Sequence, residues 1–552
     1  MKSRLTAFVL GLICCISCVE VTYDIGGNFI PDNLKYTMVT GQKVFLDVDN
    51  RIADSLSGYS NAWATIGSIR DNELGLTERA TALYLVPIND SLIFGDEPVV
   101  KRLRLSMALD STSFADESQK YILQSVNAYA LTKALDPRYD YDCNADFSSI
   151  VDRSKSVIKT HPIINGKDSL VLNFTPEYAS QFFSLTSEDY KDFDKYKEKV
   201  KGFYLETDRP AGNSGRINMF QIQLGYDATS FTLRGNYAVM DVTSTIKGER
   251  KDTSYLFYLS PSKFFDIDSL LYNTGQGLLP QYALNLTYQD KKAPRRDALY
   301  VEGGGGLKPH ISAKSLKKEV RSVIEANGHN PDKVSFTKAS LKFSYEAPDA
   351  QYKGLDYFPP ILSPTIRLRG VDTTGGISTK RVIYEGISDS SSSSEDPGNI
   401  NFSLQQYAPD ITYHLQELVS VPDSLIDKGD YDIWLLIMAY RTVTSETSAN
   451  EMAEYYKNLQ YQQYYSMMYG YGGYGGYGGY GGYGGYGMDP YSNYYSYMMA
   501  AEMYSGVSST NTSVTLELDK ARFYKTLLCG PEHPVEELRP YLEFSYAIPN
   551  AF

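Results

Sequence analysis

The chain of 552 residues is poor in the side chains that build disulfide frameworks and metal centres. Its five histidines are scattered, and only two of its five cysteines, Cys143 and Cys529, lie beyond residue 18. Two thiols so far apart in sequence cannot form a disulfide framework or complete a four-ligand zinc site. Two alternatives remain for this pair, namely two buried, unreactive thiols or a single inter-domain disulfide.

Motifs for nucleotide and acyl chemistry are missing as well. The glycines at 303–306 lack the lysine and hydroxyl residues of a phosphate-binding loop, so a bulge or a close backbone contact explains them better. No Gly-x-Ser-x-Gly elbow occurs, and His414 and Glu417 lack the second histidine of a metalloprotease helix. Carboxylates are too numerous for a glycosidase pair to be ranked, so a glycosidase stays open as an alternative on pattern alone. We therefore predict no catalytic residue, no cofactor and no enzymatic activity.

One acidic segment is spaced like the ligands of a calcium loop, through Asp140, Asp142, Asn144 and Asp146. However, Ala145 stands where an EF-hand needs glycine, and Val151 stands where it needs glutamate. The alternatives are an incidental calcium site and a solvated acidic turn. We predict the turn, and no metal site anywhere in the chain.

Positive charge is also in short supply. The formal net charge is −13, and it becomes −15 if Lys2 and Arg4 are removed with a signal sequence. Such a chain repels phosphate backbones, and no cluster of basic residues with interleaved aromatics offsets this, so we predict no nucleic-acid partner. Anionic lipid headgroups are repelled for the same reason, and attachment to a membrane therefore requires a covalent lipid.

The N-terminus carries the pattern of such an attachment. Lys2 and Arg4 precede an apolar run at 5–16 that is too short to span a bilayer, and the small residue Ser17 precedes Cys18. This pattern is typical of a bacterial lipoprotein signal, in which the cysteine takes a diacylglyceryl group and becomes the mature N-terminus. We predict a signal peptide at 1–17, lipidation of Cys18 and a tether at 18–36. The alternative is an ordinary cleaved signal with incidental cysteines.

The pattern of apolar and polar residues in the rest of the chain predicts β-structure. Alternation of apolar and polar residues predicts strands, as at 102–107, 168–174, 217–224, 254–259, 340–345, 432–441, 513–518 and 541–547. Helices are predicted after an N-cap at Thr175, at about 188–200 and at about 315–326. The order of elements repeats weakly, so we predict two jelly-roll-like β-sandwich domains, at 37–265 and 266–552. The alternative is one large irregular sandwich.

A low-complexity insert interrupts the second domain at 451–506. It holds 17 of the 48 tyrosines and contains a Tyr-Gly-Gly repeat from Tyr471 to Tyr486. Glycine makes ordering costly, so we predict a disordered loop. Tyrosine suits adaptable contact with glycans, proteins or lipid headgroups. A neutral repeat expansion at a tolerant loop is the alternative.

Four segments carry a family resemblance. Cys18 followed by residues 23–31 (YDIGGNFIP) resembles the opening of a Bacteroidota lipoprotein family called domain of unknown function 4270, and so do residues 66–75, 299–307 and 539–546. The resemblance implies an outer-membrane lipoprotein and carries over no catalytic residue. Several acids after the lipidated cysteine would signal surface display, and here only Glu20 is present. The cell surface and the periplasmic face both remain open, with a slight preference for the surface.

Bacteria of that group attach O-glycans at Asp-Ser or Asp-Thr followed by a small or apolar residue. Such triplets place candidate glycosylation sites at Ser55, Ser91, Ser111, Ser169, Ser269, Thr373 and Ser424. The alternative is that Asp-Ser forms a turn before a strand.

Two functions compete at this point. The first is a non-catalytic subunit that docks on an outer-membrane barrel or transport assembly, because a lipid anchor raises its effective concentration near integral partners. The second is a glycan-binding or adhesive lipoprotein. Membrane attachment through the N-terminal lipid is common to both.

Overall fold

The computed structural model describes residues 36–53, 56–88, 92–135, 141–190, 192–227, 232–259, 276–279, 281–290, 295–346, 358–372, 379–387, 389, 397–445, 511–524 and 526–549. Cys18, the tether up to residue 35 and the insert at 451–506 lie outside the described residues. The same holds for four of the candidate glycosylation sites, Ser55, Ser91, Ser269 and Thr373.

Strands dominate the described residues, and alternation of side chains explains most of them. In chain order they are β1 (Tyr36–Phe45), β2 (Val48–Ile52), β3 (Tyr59–Ser60), β4 (Trp63–Asp71), β5 (Gly75–Leu83), β6 (Leu85–Pro87), β7 (Asp96–Met107), β8 (Leu109–Phe114), β9 (Gln124–Leu131), β10 (Val151–Ser156), β11 (Ile163–Ile164), β12 (Leu170–Asn173), β13 (Phe203–Thr207), β14 (Ser214–Gln221), β15 (Leu224–Asp227), β16 (Thr232–Gly235), β17 (Ala238–Ile246), β18 (Glu249–Leu259), β19 (Gln276–Leu279), β20 (Ala283–Asp290), β21 (Ala298–Val301), β22 (Leu307–Ile311), β23 (Ser335–Ser344), β24 (Ile361–Asp372), β25 (Thr379–Gly386), β26 (Ile400–Asn401), β27 (Gln406–Tyr407), β28 (Ile433–Ser445), β29 (Asn511–Leu518), β30 (Thr526–Cys529) and β31 (Tyr541–Pro549).

Helices are few and short. The α-helices are Pro176–Ser180, Phe193–Lys199, Ala313–Ala326, Thr412–Ser420 and Asp423–Ile426, and single 3₁₀ turns lie at Glu117–Gln119, Gln181–Ser184, Pro331–Lys333 and Glu536–Leu538. Thr175 caps the first helix as predicted, because its hydroxyl accepts a hydrogen bond from the Tyr178 amide at 3.2 Å. Within the described residues no helix is long and apolar enough to cross a membrane.

The N-terminal half forms a two-layer sandwich. One layer is a ten-stranded antiparallel sheet in the order β10-β9-β13-β5-β4-β14-β8, with β20 alongside β5, and the other is the sheet β12-β7-β17-β18-β6. Between them lies the largest core, which takes Val126 and Ala128 from β9 and Leu103 and Leu105 from β7. The prediction of an all-β, sandwich-like fold with few short helices is confirmed.

A second core lies between the sheet β1-β31-β23-β27-β26 and the sheet β2-β22-β28-β24-β25. The helix Ala313–Ala326 packs Leu316, Val320 and Ile324 into this core. Strands β1 and β2 therefore join the C-terminal strands, whereas β20 pairs with β5 of the N-terminal sheet. The division of the chain at residues 265 and 266 stays a prediction.

A buried histidine joins two strands of the second sandwich. The His310 side chain on β22 is 1% exposed, and its Nδ1 lies 2.8 Å from Asp49 Oδ1 while its Nε2 lies 3.0 Å from Asp432 Oδ2. Burial lowers the pKa of His310, and the two carboxylates outweigh that effect, so the pKa is raised above 6.5. The His310 ring thus links β2 to the start of β28 through its two nitrogens.

Candidate functional site

The outer face of the ten-stranded sheet carries the candidate site. In β13, Phe203 and Leu205 point into the core between the two sheets, so Tyr204 and Glu206 point outward. The register places Tyr204 opposite Tyr129 of β9 and Glu206 opposite Asn127.

The sheet branches beneath this face. Residues 75–79 of β5 pair with β4, whereas residues 81–83 pair with β13. The segment 141–151 covers one part of the outer face, where Phe147 and Val151 pack on Tyr204 and Leu286. The part left uncovered is a cleft of about 850 Å³, which we call the sheet cleft and which lies over β5, β9, β13 and β20.

Two guanidinium–carboxylate pairs stand in the sheet cleft. Arg209 donates from Nε to Glu78 Oε1 at 2.8 Å and from Nη2 to Glu78 Oε2 at 2.7 Å. Arg153 donates from Nε to Glu206 Oε1 at 3.1 Å and from Nη2 to Glu206 Oε2 at 2.9 Å. Two parallel bonds fix the plane of each pair, which single-point lysine contacts would not do.

Each pair lies over a tyrosine ring. The Arg209 guanidinium carbon is 4.9 Å from the centroid of Tyr288, and the Arg153 guanidinium carbon is 5.8 Å from the centroid of Tyr204. Tyr288 is 51% exposed, whereas Tyr204 is buried. The sheet cleft therefore repeats one unit, a flat ion pair on an aromatic ring, at two places.

The electrostatics of the sheet cleft follow from these pairs. Hydrogen bonds to Glu78 and Glu206 raise the pKa of Arg209 and Arg153, so both guanidiniums stay charged. Burial, and then the nearby charge of Glu206, raise the pKa of Tyr129, so its hydroxyl remains protonated. The Asn127 amide donates to Asp208 Oδ1 at 2.8 Å, which fixes a further polar group at the rim.

Such a surface suits a ligand rich in hydroxyl groups. The guanidiniums and the amide are donors, the carboxylates are acceptors, and a hydroxyl can serve both at once. Tyr288, which is half exposed, adds an aromatic ring on which the C–H face of a sugar can lie, whereas the buried Tyr204 supports Arg153 from below. Within the described residues, no group of three or more metal-binding side chains was found that could hold a metal ion.

The residues singled out in the sequence fall partly at this site. Asn144 and Asp146 line the rim of the sheet cleft. The backbone N–H of Asn144 donates to Asp142 Oδ1, and the backbone N–H of Ser148 donates to Asp146 Oδ1, each at 2.8 Å. The segment therefore forms the turns that short polar side chains favour. The arginines and tyrosines of the sheet cleft were missed, although the alternation in β13 places Tyr204 and Glu206 on its polar face.

Three candidate glycosylation sites lie elsewhere. Ser169, before β12, and Ser424, in the helix Asp423–Ile426, are exposed, whereas Ser111 in β8 is half-buried and donates to Asp110 Oδ2 at 2.8 Å. Glycosylation at these positions stays a prediction. Cys143 and Cys529 are free and buried.

The glycines at 303–306 allow close backbone contacts. The buried Lys308 ammonium donates to the carbonyl oxygens of Gly304 at 3.0 Å and Gly306 at 3.1 Å, and Arg79 Nη2 donates to the Gly303 carbonyl at 2.7 Å. A Cβ on Gly304 would collide with the Arg79 guanidinium. The segment wraps two buried cations and is not a phosphate loop.

Comparisons of the chain with known families, proteins and structures found no match. No protein-family model matches the chain. No curated protein matches it, and no solved structure matches it. The likeness to domain of unknown function 4270 therefore stays a resemblance of short segments.

Proposed function

We propose that this chain is a non-catalytic outer-membrane lipoprotein that binds carbohydrate in the sheet cleft. The observation that carries the proposal is the exposed face of the ten-stranded sheet, where two arginine–glutamate pairs lie over Tyr288 and Tyr204. A concave polar face with one exposed aromatic ring, that of Tyr288, orients a hydroxyl-rich ligand through fixed donors and acceptors. The glycan-binding alternative from the sequence thus has the stronger support.

The same pairs argue for binding without catalysis. Glycoside hydrolysis requires one carboxyl group that donates a proton and another that attacks or activates water. Glu78 and Glu206 instead accept two hydrogen bonds each from a guanidinium. This geometry holds both groups as fixed acceptors for ligand hydroxyls.

The membrane part of the proposal rests on the sequence. Lipidation of Cys18 would hold the folded chain on a tether at the outer membrane, because the acyl chains contribute about 0.8 kcal/mol per buried methylene. A sugar-binding face on such a tether would retain polysaccharide at that membrane.

The test is a binding screen of the full chain, purified in detergent, against an array of polysaccharides and oligosaccharides. For any glycan retained, Tyr288→Ala should weaken binding about tenfold through the loss of aromatic contact. Tyr121→Ala is the matched control, because Tyr121 is also 51% exposed and lies outside the sheet cleft. Retention of no glycan at millimolar concentration, or equal weakening by both substitutions, would contradict the proposal.

A second candidate is docking on an outer-membrane barrel or transport assembly. Strand β1 favours it, because among the strands that the structure describes β1 pairs only with β31 and lies at the edge of its sheet. Tyr36, the last residue of the predicted tether, is 61% exposed, and Met38, two residues further on, is 52% exposed. An edge strand with exposed apolar side chains near the anchor offers backbone hydrogen bonds to a partner strand.

Gentle detergent extraction followed by mass spectrometry tests this candidate. A barrel partner should co-purify with the wild-type chain and be lost from Met38→Glu. Ile163→Glu is the control, because Ile163 is 64% exposed and belongs to the N-terminal sandwich. Recovery of the chain without any barrel partner would count against docking.

A further inference from the structure

We propose that the sheet cleft takes an uncharged, linear glycan of about four sugar units, which runs across the strands and not along them. This inference rests on the proposed carbohydrate-binding function and adds the charge, length and direction of the ligand.

The direction follows from the strand order. Polar and aromatic side chains of the sheet cleft come from β20, β5, β13, β9 and β10, which are consecutive neighbours in the sheet. Tyr288 stands on β20 at one end of this row, and Arg153 stands on β10 at the other. A ligand that runs along one strand cannot contact both Tyr288 on β20 and Arg153 on β10, which lie at opposite ends of this row. A ligand that crosses the strands meets both.

The length follows from the spacing of the strands. Neighbouring strands lie about 4.8 Å apart, so four intervals between five strands span roughly 19 Å. A pyranose with equatorial bonds at C1 and C4 has its two linking oxygens on opposite sides of the ring, so the chain advances by one full ring length, close to one strand interval, per sugar unit. The row from Tyr288 to Arg153 therefore accommodates about four units. Glu78 on β5 and Glu206 on β13 belong to adjacent strands. Each is the hydrogen-bond acceptor in one of the two arginine–glutamate pairs.

The charge preference follows from the pairing of the arginines. Each guanidinium already faces its own carboxylate at under 3 Å, at 2.7 Å for Arg209 and 2.9 Å for Arg153. Asp208 and Asp146 add exposed negative charge at the rim. The sheet cleft thus has more carboxylates than cations, and a uronate or sulfate group would be repelled.

The pairs keep hydrogen-bonding capacity for a neutral sugar. A guanidinium has five N–H donors, and the fork to a carboxylate uses one from Nε and one from Nη2. Each carboxylate oxygen retains a further lone pair. Donors and acceptors therefore stand side by side, as two vicinal hydroxyl groups require.

The experiment is titration calorimetry of the full chain in detergent with β-1,4-linked glucose, mannose and xylose oligomers of two to six units, and with uronate oligomers of the same lengths. For the neutral series that binds, affinity should rise with each unit up to about four and then level off. The uronate of equal length should bind at least about tenfold more weakly at low salt, and the difference should shrink as salt screens the repulsion.

Substitution at one end of the row tests the direction. Tyr288→Ala should move the plateau from about four units to about three, because it removes the subsite on β20, while Tyr121→Ala should leave the plateau unchanged. A plateau at two units, a preference for uronates, or an unchanged plateau in Tyr288→Ala would overturn this inference and leave carbohydrate binding intact. Absence of binding to any oligomer, together with an empty polysaccharide array, would overturn the proposed function as well.

Discussion

Replacement of His310 by glutamine should destabilise the C-terminal sandwich more at pH 6 than at about pH 9. Below pH 6.5 the imidazolium bonds Asp49 and Asp432 together, with Arg51 Nη1 3.5 Å from its Nε2. Because the folded pKa is raised, this stabilisation is fully present below pH 6.5 and is lost as pH rises through the folded pKa. A neutral ring keeps one N–H donor, so it can donate to only one of the two carboxylates.

The size of the effect can be worked from exposure. Removing one partner of a buried ion pair costs about 3–5 kcal/mol. The Asp49 side chain is 43% exposed and keeps its 2.9 Å bond to Arg51, so we expect the lower end, about 3 kcal/mol, at pH 6. At about pH 9 only one hydrogen bond, from the neutral ring to a carboxylate, is lost, which corresponds to roughly 1.5 kcal/mol.

Trp434 provides the probe, because its ring lies 4.7 Å from that of His310 and is buried. The chain has two tryptophans, so urea unfolding in a Trp63→Phe background follows Trp434 alone. His329→Gln is the control for the loss of a histidine, since His329 Nδ1 lies 3.0 Å from the Tyr546 hydroxyl and its ring has no carboxylate partner among the contacts of the described residues. An equal loss of stability at pH 6 and pH 9 in His310→Gln would refute the reasoning.

Three further predictions concern the anchor, the glycans and the thiols. Cys18→Ala should release the protein from the outer-membrane fraction or stall its processing; normal processing with retention on the membrane would show that the anchor is elsewhere. Intact-mass analysis of native protein should show glycan at several Asp-Ser or Asp-Thr sites, with exposed Ser169 and Ser424 among them, and Asp168→Glu should remove one increment; a mass equal to polypeptide plus lipid would contradict this. Burial raises the pKa of Cys143 to about 11 and of Cys529 to about 12, so both thiols should react with a maleimide at pH 8 only after unfolding, as a count of labelled thiols would show.

Local patterns made the fold class predictable. In β7, Leu103, Leu105 and Met107 are buried while Arg102 and Arg104 are exposed, as strict alternation requires. The helix Ala313–Ala326 begins after the N-cap Ser312, two residues before the predicted start, and ends where predicted. Such features depend on neighbours within a few residues.

The sheet cleft could not be predicted in the same way. Arg209 and Glu78 are separated by 131 residues, and Arg153 and Glu206 by 53. Their pairing depends on the lateral order of strands, which is set by non-local contacts. The sequence also does not show which part of the polar face the segment 141–151 will cover. Alternation therefore indicates that Glu206 faces away from the core, but not that it faces a ligand.

The pairing of β1 with β31 has a consequence for the order in which the chain folds. Gly41 donates to Ser545 across 504 residues, so the first described strand finds its partner only when the last one has emerged. The logarithmic loop-closure term alone costs roughly 5 kcal/mol for such a separation. A chain made from its N-terminus therefore keeps β1, with its apolar side chains, without this partner strand until β31 has been made. Truncation before Tyr541 would leave both β1 and β23 without their shared neighbour, so this sheet can be completed only after the strand that lies between them has been made.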